Sequence, residues 1–376
     1  MNFYYLQSAG AVLLTFGLVI FLHELGHFIM CRRLGVRVER FAFGMGPELF
    51  GVTKGPTRYS VCVLPLGGFV KPAGEDLENC SGQPDEYFGQ AWYRRLAIVF
   101  AGPVMNYLLA FLLFTAVVGI KGMPEYGDEP VIGNMMVGFP ADRAGIKIGD
   151  RILAFNDKPI TAWKQLSDAV HASANQEVSL TYQRDSAQGR VRIKTKVDEG
   201  TGFGVVGIMP KSVFTRVGPG RAVVEGAAQC WNLTAFTVKT IAAKLYHRQR
   251  PDLAGPVGII QMVSRAAHSG WEDLIFLIGL ISVAIGFFNL LPVPLLDGGH
   301  AVMYLWEGVS RRKLTGELMS RANGVGIVLL VLLLLFATYS DVLRLRDDRA
   351  ARKARPAAEA PQEAPAGTLD KGTYAP

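Results

Sequence analysis

The chain has 376 residues, half of them hydrophobic, a mean hydropathy of +0.24 and a formal net charge of +7 from 39 basic and 32 acidic residues. That apolar content excludes a disordered chain, and its concentration in long runs points to a membrane protein. The basic excess flanks those runs, as topogenic charge does, so no nucleic-acid partner is expected.

The first run, within residues 1–30, reads as a retained transmembrane helix, because it lacks a basic leader and holds His23-Glu24-Leu25-Gly26-His27 where a cleavage site would stand. Residues four apart share a helix face, so His23 and His27 can offer two imidazole nitrogens to one point. The H-E-x-x-H pattern suits zinc, with two neutral imidazoles as ligands and Glu24 as the base that takes a proton from activated water. Five residues alone form a weak pattern, but charged groups at membrane depth are costly and mark function.

Residues 31–95 form a loop that Arg32, Arg33, Arg37, Arg40, Arg94 and Arg95 place on the cytoplasmic side. Within it Arg58, Tyr59, Ser60, Val61, Cys62, Val63 and Leu64 alternate as a strand, in a membrane-associated β-hairpin or sheet. Two readings stand for this strand: an exposed edge that pairs with an extended peptide, or a hairpin that only packs on the spans. The second span, 96–120, carries Gly102 and Asn106, read first as packing residues and second as site-ordering ones.

Residues 121–215 read as an inserted α+β domain, with a turn-rich Ala144-Gly145-Ile146-Lys147-Ile148-Gly149-Asp150-Arg151-Ile152 segment, a turn at Asn156-Asp157, a helix capped by Thr161, and strands over 177–184 and 190–197. The pattern resembles a bacterial-protease PDZ domain, which binds peptides by strand addition. In 216–273 an amphipathic stretch, 221–245, is expected to lie on the outer membrane surface, with a fifth span as the alternative. The third transmembrane segment, 274–300, is interrupted by Pro292 and Pro294 and ends in Leu296-Asp297-Gly298-Gly299-His300. Broken backbone at membrane depth is tolerated where it lines a cavity. Asp297 suits a third ligand, His300 competes for that role, and Asp297 can equally cap a helix. A cytoplasmic loop and fourth helix fill 301–343, and 344–376 reads as a disordered tail. Four scattered cysteines suggest free thiols.

With the HELGH motif in the first span, Phe100-Ala101-Gly102-Pro103-Val104-Met105-Asn106 in the second, one PDZ-like insert, and Asn289-Leu290-Leu291-Pro292-Val293-Pro294-Leu295-Leu296-Asp297-Gly298 in the third, the chain resembles the site-2 protease family of intramembrane zinc metalloproteases, in its bacterial regulator-of-sigma-E branch. The resemblance runs from the first span through the fourth. It implies an α-helical polytopic protein with four transmembrane helices, one Zn2+ per chain held by His23, His27 and Asp297, and Glu24 as base. His300 is not a ligand in that family. It further implies that Asn289, Pro292 and Pro294 shape substrate binding and that strand 58–64 pairs with substrate. The PDZ domain is expected to screen peptides or substrate ectodomains on the periplasmic side of the bacterial inner membrane. The single PDZ copy departs from better-known members, which carry two. The expected activity is cleavage of single-span membrane proteins, of the anti-sigma-factor or remnant-signal-peptide class, after a first cut in regulated intramembrane proteolysis. A metal transporter or a non-catalytic PDZ scaffold in contact with membrane lipid are the alternatives.

Overall fold

The structure, a computed structural model, describes residues 2–77, 80–136, 138–198, 201–246 and 255–353. The first helix, α1 (Asn2–Arg33), is apolar for most of its length and ends on Arg32 and Arg33, whose charges complement the carbonyl end of the helix dipole. It leads into two long, bent strands, β1 (Val38–Lys54) and β2 (Thr57–Pro72). Gly44, Gly46 and Gly67 adopt positive φ near the bends, a region glycine enters without a Cβ penalty. The bends fold two strands into four rows. Residues 38–43 partner both 68–72 and 58–61, while 48–54 partner 57–62. Residues 58–61 are therefore not an open edge: Tyr59 faces Phe41 on one side and Val52 on the other, whereas Cys62 and Leu64 each face a single partner, Glu48 and Met45. The edge reading is corrected for 58–61, and the rows outside them are 48–54 and 68–72.

Helix α2 (Trp92–Lys121) returns along α1. The two approach closely where a Cβ on Gly26 would strike the Ala101 carbonyl. Beyond α2 lies the α+β unit: β3 (Met123–Tyr126), β4 (Ile132–Met135), α3 (Pro140–Arg143), β5 (Arg151–Phe155), β6 (Lys158–Pro159), α4 (Trp163–His171), β7 (Glu177–Arg184), β8 (Ala187–Lys194), β9 (Lys196–Val197), β10 (Gly204–Val205), β11 (Ile208–Pro210) and β12 (Ser212–Thr215). Its sheet has the order β6-β5-β7-β8, and its core joins Ile132, Ile146, Ile152, Leu166, Val178, Leu180 and Ile193. Asp150, 1% exposed, accepts from Arg184 Nε and Nη2, both at 2.8 Å, and from the Lys147 amide at 2.8 Å. Asn156 and Asp157 form the expected turn with positive φ. Thr161 does not cap α4; the N-cap residue is Ala162, and the Thr161 amide and hydroxyl meet Gln165 Oε1 instead.

Helix α5 (Pro219–Tyr246) runs antiparallel to α2: Ala222 packs by Gly119, Gly226 by Thr115, and the Thr234 hydroxyl lies 3.0 Å from that of Tyr107. From Gly119 to Tyr107 is about 18 Å of helix at 1.5 Å per residue. A helix lying flat on the membrane would cross α2 once, within its own width of about 10–12 Å. Helix α5 thus follows α2 down its length rather than crossing it once. Helix α6 (Pro256–Ser269) lies along the start of α1, and its first amides, Gly255 and Gly258, each donate at 3.0 Å to the carboxylate of Asp341.

Helix α7 (Trp271–Asn289) pairs with α2 from Lys121–Asp273 at one end to Ser282 and Gly286 beside Asn106. It stops at Asn289, and the chain resumes as α8 (Asp297–Ser310), which continues down the same side of α2 to Gly308 against Trp92. Arg95, 3% exposed, bonds Glu307 at 2.6 Å there and stacks on Tyr304 and Phe88. Helix α9 (Gly316–Lys353) packs Gly326 against Pro294 and carries Asp341 to the start of α6. The expected tail is helical through 344–353, and its remainder, 354–376, lies outside the described residues. Among the described residues four helical stretches, 4–33, 92–121, 271–289 and 316–343, are long and apolar enough to cross a membrane. The molecule is a helical membrane protein with a bent sheet at one end and an α+β domain at the other.

Candidate metal centre

The helical repeat of α1 sets His23 and His27 one turn apart, with Nε2 atoms 3.2 Å from each other. The break after α7 brings in the third group: Asp297 Oδ2 lies 3.1 Å from His23 Nε2 and 3.6 Å from His27 Nε2. The turn is tight. Leu295 has φ of 80°, and a Cβ on Gly298 or Gly299 would strike the carbonyls of Leu291 and Val293. Asp297 is the first residue of α8, with Leu296 in the N-cap position and no side-chain cap bond, so the capping reading is set aside.

These three residues form a cluster that can hold a metal ion. Asp297 Oδ2 is buried and accepts no hydrogen bond, although two imidazoles stand beside it. That is the condition of an oxygen arranged for a cation. A tetrahedral zinc with bonds of about 2.0–2.1 Å has ligand-to-ligand edges of about 3.3–3.4 Å, close to the three distances found. His300 is not in the cluster, and its Nδ1 is buried without a partner. The donor set of two imidazoles and one carboxylate therefore fits zinc and leaves a fourth position open.

Glu24 neighbours the cluster, and its carboxylate accepts from the backbone of Val70. A Cβ on Gly68 would sit 3.7 Å from Glu24 Cγ, so the outer row 68–72 borders the site. Arg58 instead pairs with Glu48 at the surface, and Ser60 accepts from Arg40. Tyr59 and Val61 have strand neighbours on both sides, Cys62 and Leu64 have one each, and none of Tyr59, Val61, Cys62, Val63 and Leu64 joins the cluster. Asn289 closes α7, and Pro292 and Pro294 lie in the break that delivers Asp297. Sequence reasoning underrated two residues. A Cβ on Gly102 would collide with His27 Nε2, so only glycine lets α2 pass the imidazoles, and Asn106, four residues on, meets His23. Their i, i+4 spacing on the face toward α1 was the available signal.

The profile described as peptidase family M50 matches residues 11–333. The chain belongs to this family of site-2 proteases. A Clostridium acetobutylicum protein provisionally named a zinc metalloprotease is 33% identical over 336 residues, covering 88% of this chain and 96% of its own length. Similarly named proteins of Mesorhizobium japonicum, 31% identical, and Campylobacter jejuni, 32% identical, cover 90% and 92% of this chain and 99% and 95% of theirs. Among solved structures, a PDZ domain of an SdrC-like protein from Listeria monocytogenes aligns with 22% of this chain and 87% of its own, at 19% identity and a TM-score of 0.21. This M50 member is a zinc metalloprotease in a membrane-spanning scaffold.

Proposed function

We propose that His23, His27 and Asp297 hold the zinc ion and that Glu24 is the general base for peptide-bond hydrolysis within membrane-embedded substrates. The observation that carries this reading is the convergence of Asp297 from a broken helix on the two histidines of α1, with Glu24 alongside. When bound, zinc polarises the scissile carbonyl and lowers the pKa of water. Glu24 takes the proton from that water and returns it to the leaving amine. His27 is fixed by its Nδ1, which donates to the Ile98 carbonyl at 2.8 Å.

A helical substrate hides its carbonyls in its own hydrogen bonds and must unwind to be cut. The row 68–72, beside Glu24 and with one strand neighbour, is the edge that holds the extended segment by backbone pairing, in place of 58–64. Asn289, Pro292 and Pro294, in the break that delivers Asp297, help shape substrate binding on this reading. The arginines at 32, 33, 37, 40, 94 and 95 assign the sheet end to the cytoplasm and the PDZ-like domain to the periplasmic side of the inner membrane. The substrates are single-span proteins of the anti-sigma-factor or remnant-signal-peptide class, already shortened outside. Glu24→Gln, assayed on a single-span substrate in proteoliposomes, is expected to lower turnover by about 10²–10⁴-fold with zinc still bound. Unchanged turnover contradicts the assignment.

A further inference from the structure

Resting on the ligand reading above, we propose that Asn106 is a positioning residue that fixes His23 as a ligand, its side-chain carbonyl accepting the His23 Nδ1 proton. Asn106 is 0% exposed in an apolar helix, and its carboxamide lies 3.2 Å from His23 Nδ1. A buried amide left without partners is costly, so its bonds matter.

A neutral imidazole carries one N–H, and a nitrogen that binds metal must be the other one. For His27 the choice is made by the Ile98 carbonyl, which can only accept, so Nδ1 holds the proton and Nε2 presents its lone pair. For His23 the partner is a carboxamide, which can donate or accept. If Asn106 Nδ2 donated to Nδ1, the proton would sit on Nε2 and point at His27 Nε2 and Asp297 Oδ2, 3.2 and 3.1 Å away. No ligand results. The oxygen and nitrogen of a carboxamide have nearly the same shape, so hydrogen-bond chemistry decides the orientation. In the donating orientation Asn106 Oδ1 is buried without a donor. Rotated by half a turn, it takes the Nδ1 proton and leaves both Nε2 lone pairs facing Asp297.

The surroundings hold the amide in place. Ser282 Oγ donates to the Asn106 main-chain carbonyl at 2.9 Å, and Gly286 lets α7 come within 3.2 Å of the Asn106 Cβ from where its own would stand. His23 is thus oriented by a side chain and His27 by a backbone carbonyl, and only the former can be removed by mutation.

The test is zinc affinity of the full-length protein in detergent, by competition with a chromogenic chelator. Asn106→Leu, of similar size with no acceptor, is expected to weaken zinc about 10–100-fold, the usual effect of losing such a partner. Asn106→Asp, which can accept but not donate, is expected to stay within about threefold of the parent. Unchanged affinity in the Leu variant, or an Asp variant as weak as Leu, overturns the proposal. Should the Leu variant not fold, the Asp variant still decides between accepting and donating. His23→Ala separates the two levels: if zinc remains tight there, the ligand reading itself fails; if it is lost while Asn106→Leu is normal, the role of Asn106 alone fails.

Discussion

His23 and His27 share one helix face but depend on different partners, a carboxamide on α2 and a main-chain carbonyl about two turns nearer its start. Tautomer and orientation are thus set by α2, which explains why Gly102 and Asn106 accompany the HELGH motif. The motif was legible in the sequence because helical spacing alone aligns it. The contest between Asp297 and His300 was not, since both follow the same broken backbone, and only the turn through Leu295 shows which side chain arrives. Glu75, in the loop after the sheet, keeps an exposed surface, yet crowding by the surrounding protein and then the charge of Glu24 push its carboxyl up to about 7. A raised carboxyl pKa makes ionisation unfavourable in the folded state, so its contribution to stability falls as pH rises from the usual carboxylate range through about 7. Glu75→Gln should flatten the thermal-stability curve between about pH 5 and about pH 8, and an unaltered slope would remove Glu75 as its source.

Among the elements, the sheet departs most from its sequence pattern. Alternation identified 58–64 as a strand but carried no information about its neighbours, because period two is the same at an edge and in the interior. Two long strands bent at glycines supply partners on both sides and move the open row to 68–72, beside Glu24. A photo-crosslinking residue at Phe69 or Lys71 is accordingly expected to capture a bound single-span substrate, while the same residue at Tyr59 is not; capture at Tyr59 alone would restore the interior row as the contact. The partner of helix α5 was hidden for a related reason. The moderate polarity of α5 resembles a surface helix, but its small residues Ala222, Gly226 and Cys230 are what α2 packs against. An amphipathic pattern tells that a face is covered and not which element covers it.

At the scale of the whole molecule, four apolar helices, a broken third span and an α+β insert were readable from run lengths and motif order, since each follows from local composition. How they meet was not. The α+β domain has a buried polar anchor in Asp150, whose carboxylate joins the turn at Lys147 to Arg184 on β7. Its removal costs Arg184 and the Lys147 amide their acceptor, Arg184 itself remaining partly in solvent, so Asp150→Ala should destabilise this domain by about 1–3 kcal/mol while zinc stays bound. Domain-resolved hydrogen exchange checks this, and protection equal to the parent would count against it. The remaining joint is the one between the first and third spans. Zinc content of purified full-length protein, measured by elemental analysis in the parent, Asp297→Ala and His300→Ala, tests it most directly. About one zinc per chain is expected in the parent and in His300→Ala, with a strong loss in Asp297→Ala; full zinc in Asp297→Ala, or loss confined to His300→Ala, would overturn the ligand assignment.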